Sequence, residues 1–203
     1  MDGLLAFTDR VFHDWLVLFS MVNAVGNLPI FAELTSAMDR PERNKTFRVA
    51  VLTAATVVLV FAFLGSWMLR YAFDVETAAF KIAGGILVFA VAARGMVIGP
   101  LRFGPQPQAR SDNVAVFPLG FPFLAGPGTI VTTILLMQAK GPWLTALAAV
   151  MVYAAILPVL HLAPVIERAV GKMGINVVAR ILYIFIAAKA VAFVLQGIKA
   201  YFP

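Results

Sequence analysis

The chain consists mainly of long apolar segments separated by short polar stretches. A helix needs roughly 20 apolar residues to cross the hydrocarbon core of a bilayer, and segments of about this length recur along the whole sequence. They cover residues 15–37, 49–69, 77–98, 114–139, 143–166 and 177–198. The pattern therefore predicts an all-α integral membrane protein with six transmembrane helices.

The two halves of the chain carry related features 99 residues apart. Lys81 opens the third apolar segment and Arg180 the sixth, while residues 26–29 align with residues 125–128. Since each half would hold an odd number of spans, the second would enter the membrane from the opposite side, as in many secondary transporters. We expect two inverted three-helix repeats, although chance similarity among apolar helices is the alternative. The predicted division is residues 1–98, a cytoplasmic loop at 99–113, and residues 114–203.

The first and fourth apolar segments contain helix-breaking residues near their middles, at 23–29 and 117–129. A proline inside a helix costs about 3 kcal/mol or more, and an unpaired backbone group in hydrocarbon costs several more. Single kinks are the simpler alternative, because Gly and Pro are frequent in membrane helices. Clusters of Gly, Pro and Asn at matching places instead favour discontinuous first and fourth helices.

Half-helix ends inside a membrane would be polar. The free N–H groups that begin a helix carry about half a positive charge and attract a carboxylate, whereas the carbonyl end carries the opposite sign. Two breaks that meet at the membrane midplane would offer both polarities, which suits a small zwitterion. The candidate substrate-binding residues are Asn23, Gly26, Asn27, Pro29, Pro122, Gly126, Pro127, Gly128 and Thr129.

Composition and charge favour a membrane protein over other classes. Hydrophobic residues make up 62% of the chain and charged residues 13%, whereas soluble domains are about 25% charged. The net charge of +6 comes from basic residues between apolar segments, which indicates lipid contact and membrane topology and argues against nucleic-acid binding. Their excess on one side predicts cytoplasmic loops with both termini outside. The oligomeric state is not predicted.

Three titratable side chains in or near the apolar segments are candidates for ion coupling: Lys189, His161 and Glu33. The structural alternatives are a Lys189 that reaches the membrane surface, a histidine satisfied within the fold, and a helix cap at Glu33. His13 and Asp14 are expected to anchor the first segment at the membrane surface and not to bind a metal. We expect no cofactor and no metal site, and the coupling ion, H⁺ or Na⁺, stays open.

Short motifs are distributed along nearly the whole chain. They are Asn23, Gly26, Asn27, Pro29 and Phe31; residues 82–86 (Ile-Ala-Gly-Gly-Ile); Pro118, Leu119 and Pro122; residues 125–130 (Ala-Gly-Pro-Gly-Thr-Ile); Arg180 and Ile181; and Gly197 and Ile198. Together they resemble the MarC family of bacterial inner-membrane proteins, which includes small neutral amino acid transporters of the SnatA type. Two positions depart from that pattern: Ala24 stands where the family often has Pro, and Ala192 where Gln is common.

The resemblance implies six spans in two inverted halves, discontinuous first and fourth helices, and transport of glycine- or alanine-sized amino acids across a bacterial inner membrane. The alternatives are export of other small metabolites or drugs, a passive channel, a structural helix bundle and an intramembrane enzyme. An enzyme would need a nucleophile with a base, or clustered metal ligands; two His and no Cys disfavour it. We therefore expect a transporter without enzymatic activity.

Overall fold

The computed structural model describes residues 2–35, 38–98 and 111–202, and these residues are almost entirely helical. The helices are α1 (Asp2–Val22), α2 (Leu28–Leu34), α3 (Arg40–Trp67), α4 (Thr77–Val97), α5 (Ser111–Val114), α6 (Pro127–Lys140), α7 (Pro142–His161) and α8 (Ala163–Tyr201). Met68–Ala72 continues α3 as a π-helix. Ala115–Leu124 follows α5 with π-helical hydrogen bonding but is interrupted at Phe117 and Phe121, whose backbones are extended, with φ of −134° and −129°. We call Ala115–Leu124 the π segment. The predicted all-α class is confirmed.

Within the described residues, four helices are long and apolar enough to cross a membrane. They are Arg40–Ala72, Thr77–Val97, Pro142–His161 and Asn176–Tyr201. The π segment and α6, which are bent by 57° at their junction, count as a fifth span if taken together. The first predicted span is divided between α1, which carries several charges, and α2, which has only 7 residues. The protein is thus a multi-pass integral membrane protein, and the count of six spans stays a prediction.

Helices α1 and α3 begin earlier than the predicted spans, because helix formation does not stop where the membrane begins. Helix α1 starts at Asp2 and α3 at Arg40, where the predicted spans start at residues 15 and 49. Asp39 caps α3, since its side chain accepts a hydrogen bond of 2.8 Å from the backbone N–H of Glu42. This capping satisfies a donor that the helix itself cannot pair.

The second half also differs from the prediction at its helix ends. Helix α7 ends at His161, and α8 starts at Ala163 and bends at Gly171, where φ is 71°. Only Gly tolerates that conformation readily. Of the predicted loop 99–113, residues 99–110 lie outside the described residues, and α5 already begins at Ser111.

The core is formed where α3 packs against α7 and the π segment, and where α7 packs against α1. Small side chains allow this close approach: Ala50, Ala54, Ala148 and Ala149 are at most 1% exposed. Many large apolar side chains face outward instead, among them Leu52, Trp67, Ile86 and Phe185. Hydrocarbon is a favourable solvent for such a surface, as expected for a membrane protein.

Helices α4 and α8 form a closely packed antiparallel pair. A Cβ added at Gly85 would lie 2.8 Å from the Ala190 carbonyl oxygen, and one added at Gly197 would lie 2.8 Å from the Ala78 carbonyl oxygen. The early part of α4 therefore contacts the late part of α8. Glycine at these contacts lets two backbones approach without a side chain between them.

We predict that Gly85→Leu destabilises the protein. The added side chain would have to separate α4 from α8, and overpacking of this kind costs about 1–3 kcal/mol. We expect the midpoint of thermal unfolding in detergent to fall by roughly 5 °C for a chain of this length. Ala83→Leu, at an exposed position of the same helix, is the matched control and should change the midpoint little. Equal midpoints for the two variants would contradict this description of the pair.

Candidate functional site

A tight turn at residues 23–27 separates α1 from α2. Asn23 adopts a left-handed conformation with φ of 49°, which Asn tolerates better than most side chains. The Asn27 N–H donates to the Asn23 carbonyl over 3.1 Å, and the Phe31 N–H donates to the Asn27 carbonyl over the same distance. Both asparagine carbonyls thus help to connect the two helices.

A second turn, at Ala125 and Gly126, separates the π segment from α6. The Tyr153 hydroxyl of α7 donates to the Leu124 carbonyl over 3.0 Å and so pairs an oxygen at the end of the π segment. Gly126 precedes α6 in an extended conformation, and a Cβ there would lie 2.8 Å from the Pro122 carbonyl oxygen. Pro127 then begins α6, where its fixed φ suits the first helical turn and its missing N–H costs nothing.

The two turns meet at a cavity of about 200 Å³ that α4 and α8 complete. Six of the nine predicted site residues line it: Asn23, Asn27, Pro122, Gly126, Pro127 and Gly128. Gly26 and Thr129 are not in its lining. Gly26 lies against the Asn23 amide group, and Thr129 is buried in the first turn of α6. The side chain of Pro29 lies outside the described residues.

The Asn23 side chain is the polar group best placed for a ligand. It lines the cavity and is only 5% exposed, and neither its oxygen nor its nitrogen has a hydrogen-bond partner within the described residues. Buried polar groups of proteins are nearly always paired. The amide therefore offers one acceptor and two donors to a molecule in the cavity.

Arg94 and Tyr183, at the edge of the cavity, are site residues that sequence reasoning missed. Arg94 contributes a positive charge, and the lining includes no Asp or Glu among the described residues. The Tyr183 ring packs against Gly95, where any side chain would overlap it. The only signal in the sequence is spacing: Val88, Ala92 and Gly95 share one face of α4, and Arg94 is beside it.

The predicted coupling residues are not in the lining of this cavity within the described part of the chain. The Lys189 ammonium lies 5.5 Å from the centroid of the Phe193 ring. His161 Nδ1 lies 2.7 Å from the Leu157 carbonyl oxygen, and its ring packs edge-on against Phe47. These contacts favour structural roles for both residues. Glu33 is in α2, and its side chain lies outside the described residues.

Asp14 was expected to anchor the first segment at the membrane surface, and the structure adds that its side chain is enclosed by protein. Its neighbour His13 has a side chain that is 64% exposed, but the Asp14 side chain is fully buried and forms an ion pair with Lys140. The reason is helical geometry. Val11, Asp14, Leu18 and Met21 recur every three to four residues and share the inward face of α1, and all four are buried.

Comparison with known proteins identifies the family. The MarC family of integral membrane proteins matches residues 8–202, so the chain belongs to this family. A UPF0056 membrane protein of Archaeoglobus fulgidus is 36% identical over 97% of this chain and 94% of its own. The UPF0056 membrane protein YhcE of Escherichia coli is 33% identical over 95% and 93%, and YvbG of Bacillus subtilis is 29% identical over 95% and 96%. No solved structure matches the chain.

We predict that Tyr153→Phe destabilises the second turn. The change removes the donor that pairs the buried Leu124 carbonyl, and an unpaired buried acceptor costs about 1–3 kcal/mol. Thermal unfolding in detergent should show a lower midpoint. Tyr201→Phe, which removes a hydroxyl from an exposed residue, is the control. An unchanged midpoint for Tyr153→Phe would mean that the hydrogen bond does not hold the turn.

Proposed function

We propose that this MarC-family protein is a secondary transporter of small neutral amino acids of the glycine and alanine class. The supporting observation is the cavity at the meeting point of the two turns, whose lining includes Asn23 with an amide that has no partner among the described residues. We further propose the finer architecture that such a function requires. It comprises six spans in two inverted halves, with discontinuous first and fourth helices and both termini outside the plasma membrane.

The positions of the helices support the inverted repeat. Helix α2 begins at Leu28 and α6 at Pro127, which is the same offset of 99 residues that relates the sequence motifs. The contacts between helices also repeat: a contact between one helix of the first half and one of the second has a counterpart between the two corresponding helices. Helix α3 packs on the π segment as α7 packs on α1, and α4 packs on α6 as α8 packs on α2. The equivalent helices α4 and α8 run antiparallel, which a two-fold axis in the membrane plane requires.

The polar groups around the cavity match the two ends of an amino acid. Gly128 and Thr129 belong to the first turn of α6, where N–H groups have no partner within the helix. These donors and the nearby Arg94 suit a carboxylate. The Asn23 side-chain oxygen, together with carbonyl groups at the end of α1, suits an ammonium group.

The size of the cavity limits the substrate. Pockets for drug-sized ligands usually measure roughly 300–1,000 Å³, and this cavity is about 200 Å³. The rest of its wall is apolar, with Met21, Val88, Ala92 and Ile186. A glycine or alanine side chain fits such a wall, whereas a long or charged one does not. The size therefore disfavours export of drugs.

The other functional classes have less support. An enzyme would need a nucleophile beside a base, and the polar lining of the cavity consists of Asn23, Asn27, Arg94 and Tyr183 within the described residues. A passive channel would need a continuous open path. A site between two discontinuous helices instead suits alternating access, in which one half of the protein moves against the other around a fixed substrate.

We predict that Asn27→Leu and Gly126→Leu each abolish the transport of labelled glycine. Both side chains would enter the cavity and remove or displace polar groups that bind the substrate. Counterflow in proteoliposomes is the measurement, with circular dichroism to verify folding. Asn176→Leu makes the same replacement at an exposed position of α8 and should transport normally. Full transport by both cavity variants would reject the site.

We predict that Arg94→Gln raises the KM for glycine about 10-fold or more, because a hydrogen bond to a charged group contributes roughly 1.5–3 kcal/mol. Competition by glycinamide, which lacks the carboxylate, should not change. Arg70→Gln, at an exposed arginine away from the cavity, serves as the control. A KM for glycine equal to that of the unchanged protein would exclude Arg94 from substrate recognition.

A further inference from the structure

A buried ion pair connects α1 to α6 outside the substrate cavity. Lys140 Nζ donates to Asp14 Oδ1, although the two residues are 126 positions apart in the chain. The Asp14 side chain is fully buried, whereas that of Lys140 is 29% exposed. His13 Nδ1 lies 3.4 Å from the same carboxylate oxygen and has a side chain that is 64% exposed. The carboxylate is thus enclosed by protein, but its two neighbours, His13 and Lys140, have side chains that are partly exposed at the protein surface.

The second oxygen of this carboxylate, Asp14 Oδ2, is buried and has no hydrogen-bond partner within the described residues. Keeping a buried charge is costly unless it is paired, and removing the partner of a buried ion pair leaves the remaining charge uncompensated. A buried carboxylate whose ammonium partner departs is more stable if it binds a proton. Asp14 therefore has the two states that a proton-binding group needs: ionised and paired, or neutral and unpaired.

Other unpartnered polar atoms continue from Asp14 towards the cavity. In the part of the chain that the structure describes, the buried side-chain nitrogen and oxygen atoms without a partner belong to Asp14, Trp15, Asn23, Thr129 and Thr132. All of them are in α1, in the turn that follows it, or in α6. We call the contact between α1 and α6 the α1–α6 seam.

Helical spacing places the two threonines in the seam. Thr129, Thr132, Leu136 and Lys140 recur every three to four residues and share one face of α6. At one end of that face Lys140 binds Asp14, and Leu136 packs in the same cluster as Leu18 of α1. At the other end Gly128 lies near the Met21 sulfur: a Cβ added at Gly128 would be 3.7 Å from that sulfur. The seam therefore reaches from Asp14 to the cavity at Asn23.

We propose that Asp14 is the proton-binding site of the transport cycle, and that the α1–α6 seam conducts the proton between Asp14 and the substrate cavity. This inference rests on the proposed transport function. A proton from the exterior adds to the Asp14 carboxylate and gives a neutral carboxylic acid, while Lys140 keeps its own proton and turns to water. When the ion pair forms again, the proton leaves the carboxyl group along the seam, past the Thr132 and Thr129 hydroxyls, towards the cavity.

The charges around Asp14 are consistent with this role. On its own helix the adjacent group is His13, with Arg10 one helical turn earlier, and on α6 it is Lys140. Helix α7, which also packs along α1, has no charged residue between Pro142 and Leu160. Helix α8 packs against α1 near Met21 and away from Asp14. Lys140 is thus the charged group that the structure places in direct contact with the Asp14 carboxylate among the described residues.

A proton fits this site better than a metal ion does. Hard cations require several oxygen ligands, about six or more for Ca²⁺ and Mg²⁺, whereas Asp14 has one free oxygen next to an ammonium group. The described residues contain no group of three or more His, Cys, Asp or Glu side chains that could hold a metal ion. A proton needs only a single lone pair.

The test separates glycine exchange from proton coupling. Proteoliposomes with equal labelled glycine on both sides receive a pH gradient, and net glycine movement is measured. Counterflow is measured at uniform pH. We expect the pH gradient to drive net movement in the unchanged protein. Asp14→Asn should reduce this movement at least tenfold and keep counterflow within about threefold, because the amide cannot release a proton. Thr132→Val, which has nearly the same size and keeps the ion pair, should reduce it several-fold.

Asp9→Asn is the matched control, because it removes an exposed carboxylate from the same helix and should change neither measurement. Gradient-driven movement that survives unchanged in Asp14→Asn or in Thr132→Val would overturn the proposal. The proposal would also be overturned if these variants lost counterflow to the same extent as gradient-driven movement. It would likewise be overturned if a Na⁺ gradient, and not a pH gradient, drove net glycine movement in the unchanged protein. If the unchanged protein shows no counterflow, the transport function itself fails, which is a distinguishable result.

Discussion

The structure depends on the requirement that backbone N–H and C=O groups be paired wherever water is absent. A helix meets this requirement by itself, so an apolar helix can face lipid, but a turn between helices cannot. Both turns of this protein are consequently buried. The turn at residues 23–27 is closed by bonds to the Asn23 and Asn27 carbonyls, and the π segment ends on a carbonyl that the Tyr153 hydroxyl pairs. The remaining helices supply the enclosure that makes these turns possible.

The same requirement explains how a candidate binding site arises from so apolar a chain. The turns bring a small number of polar groups together inside a wall of apolar side chains, where a hydrogen bond is stronger than in water and an unpaired group is costly. Asn23 illustrates the result, since its amide is buried at the cavity and has no hydrogen-bond partner among the described residues. A ligand that pairs this amide removes that cost. Affinity for a very small molecule can therefore come from a few contacts.

The part of the site that sequence predicted is the part with a local cause. Asn, Gly and Pro disfavour a continuous helix through their own backbone preferences, so clusters of them indicated where non-helical backbone would be found, and six of the nine candidates line one cavity. Arg94 and Tyr183 were missed because their positions depend on how α4 packs against α8. The burial of Asp14 was not predicted because its helical stripe was overlooked. The early start of α1 at Asp2 was not predicted, because polar residues continue the helix beyond the apolar segment.

The central claim is that a small amino acid binds where the two turns meet. Backbone ¹⁵N signals of protein labelled only at its 15 glycines, recorded in lipid nanodiscs during titration with unlabelled glycine, test this claim most directly. If glycine binds there, the signals of Gly26, Gly126 and Gly128 should shift and reach saturation. The signals of Gly85 and Gly197, at the α4–α8 contact, should not move. Signals at the turns that do not respond, or shifts spread evenly over all glycines, would contradict it.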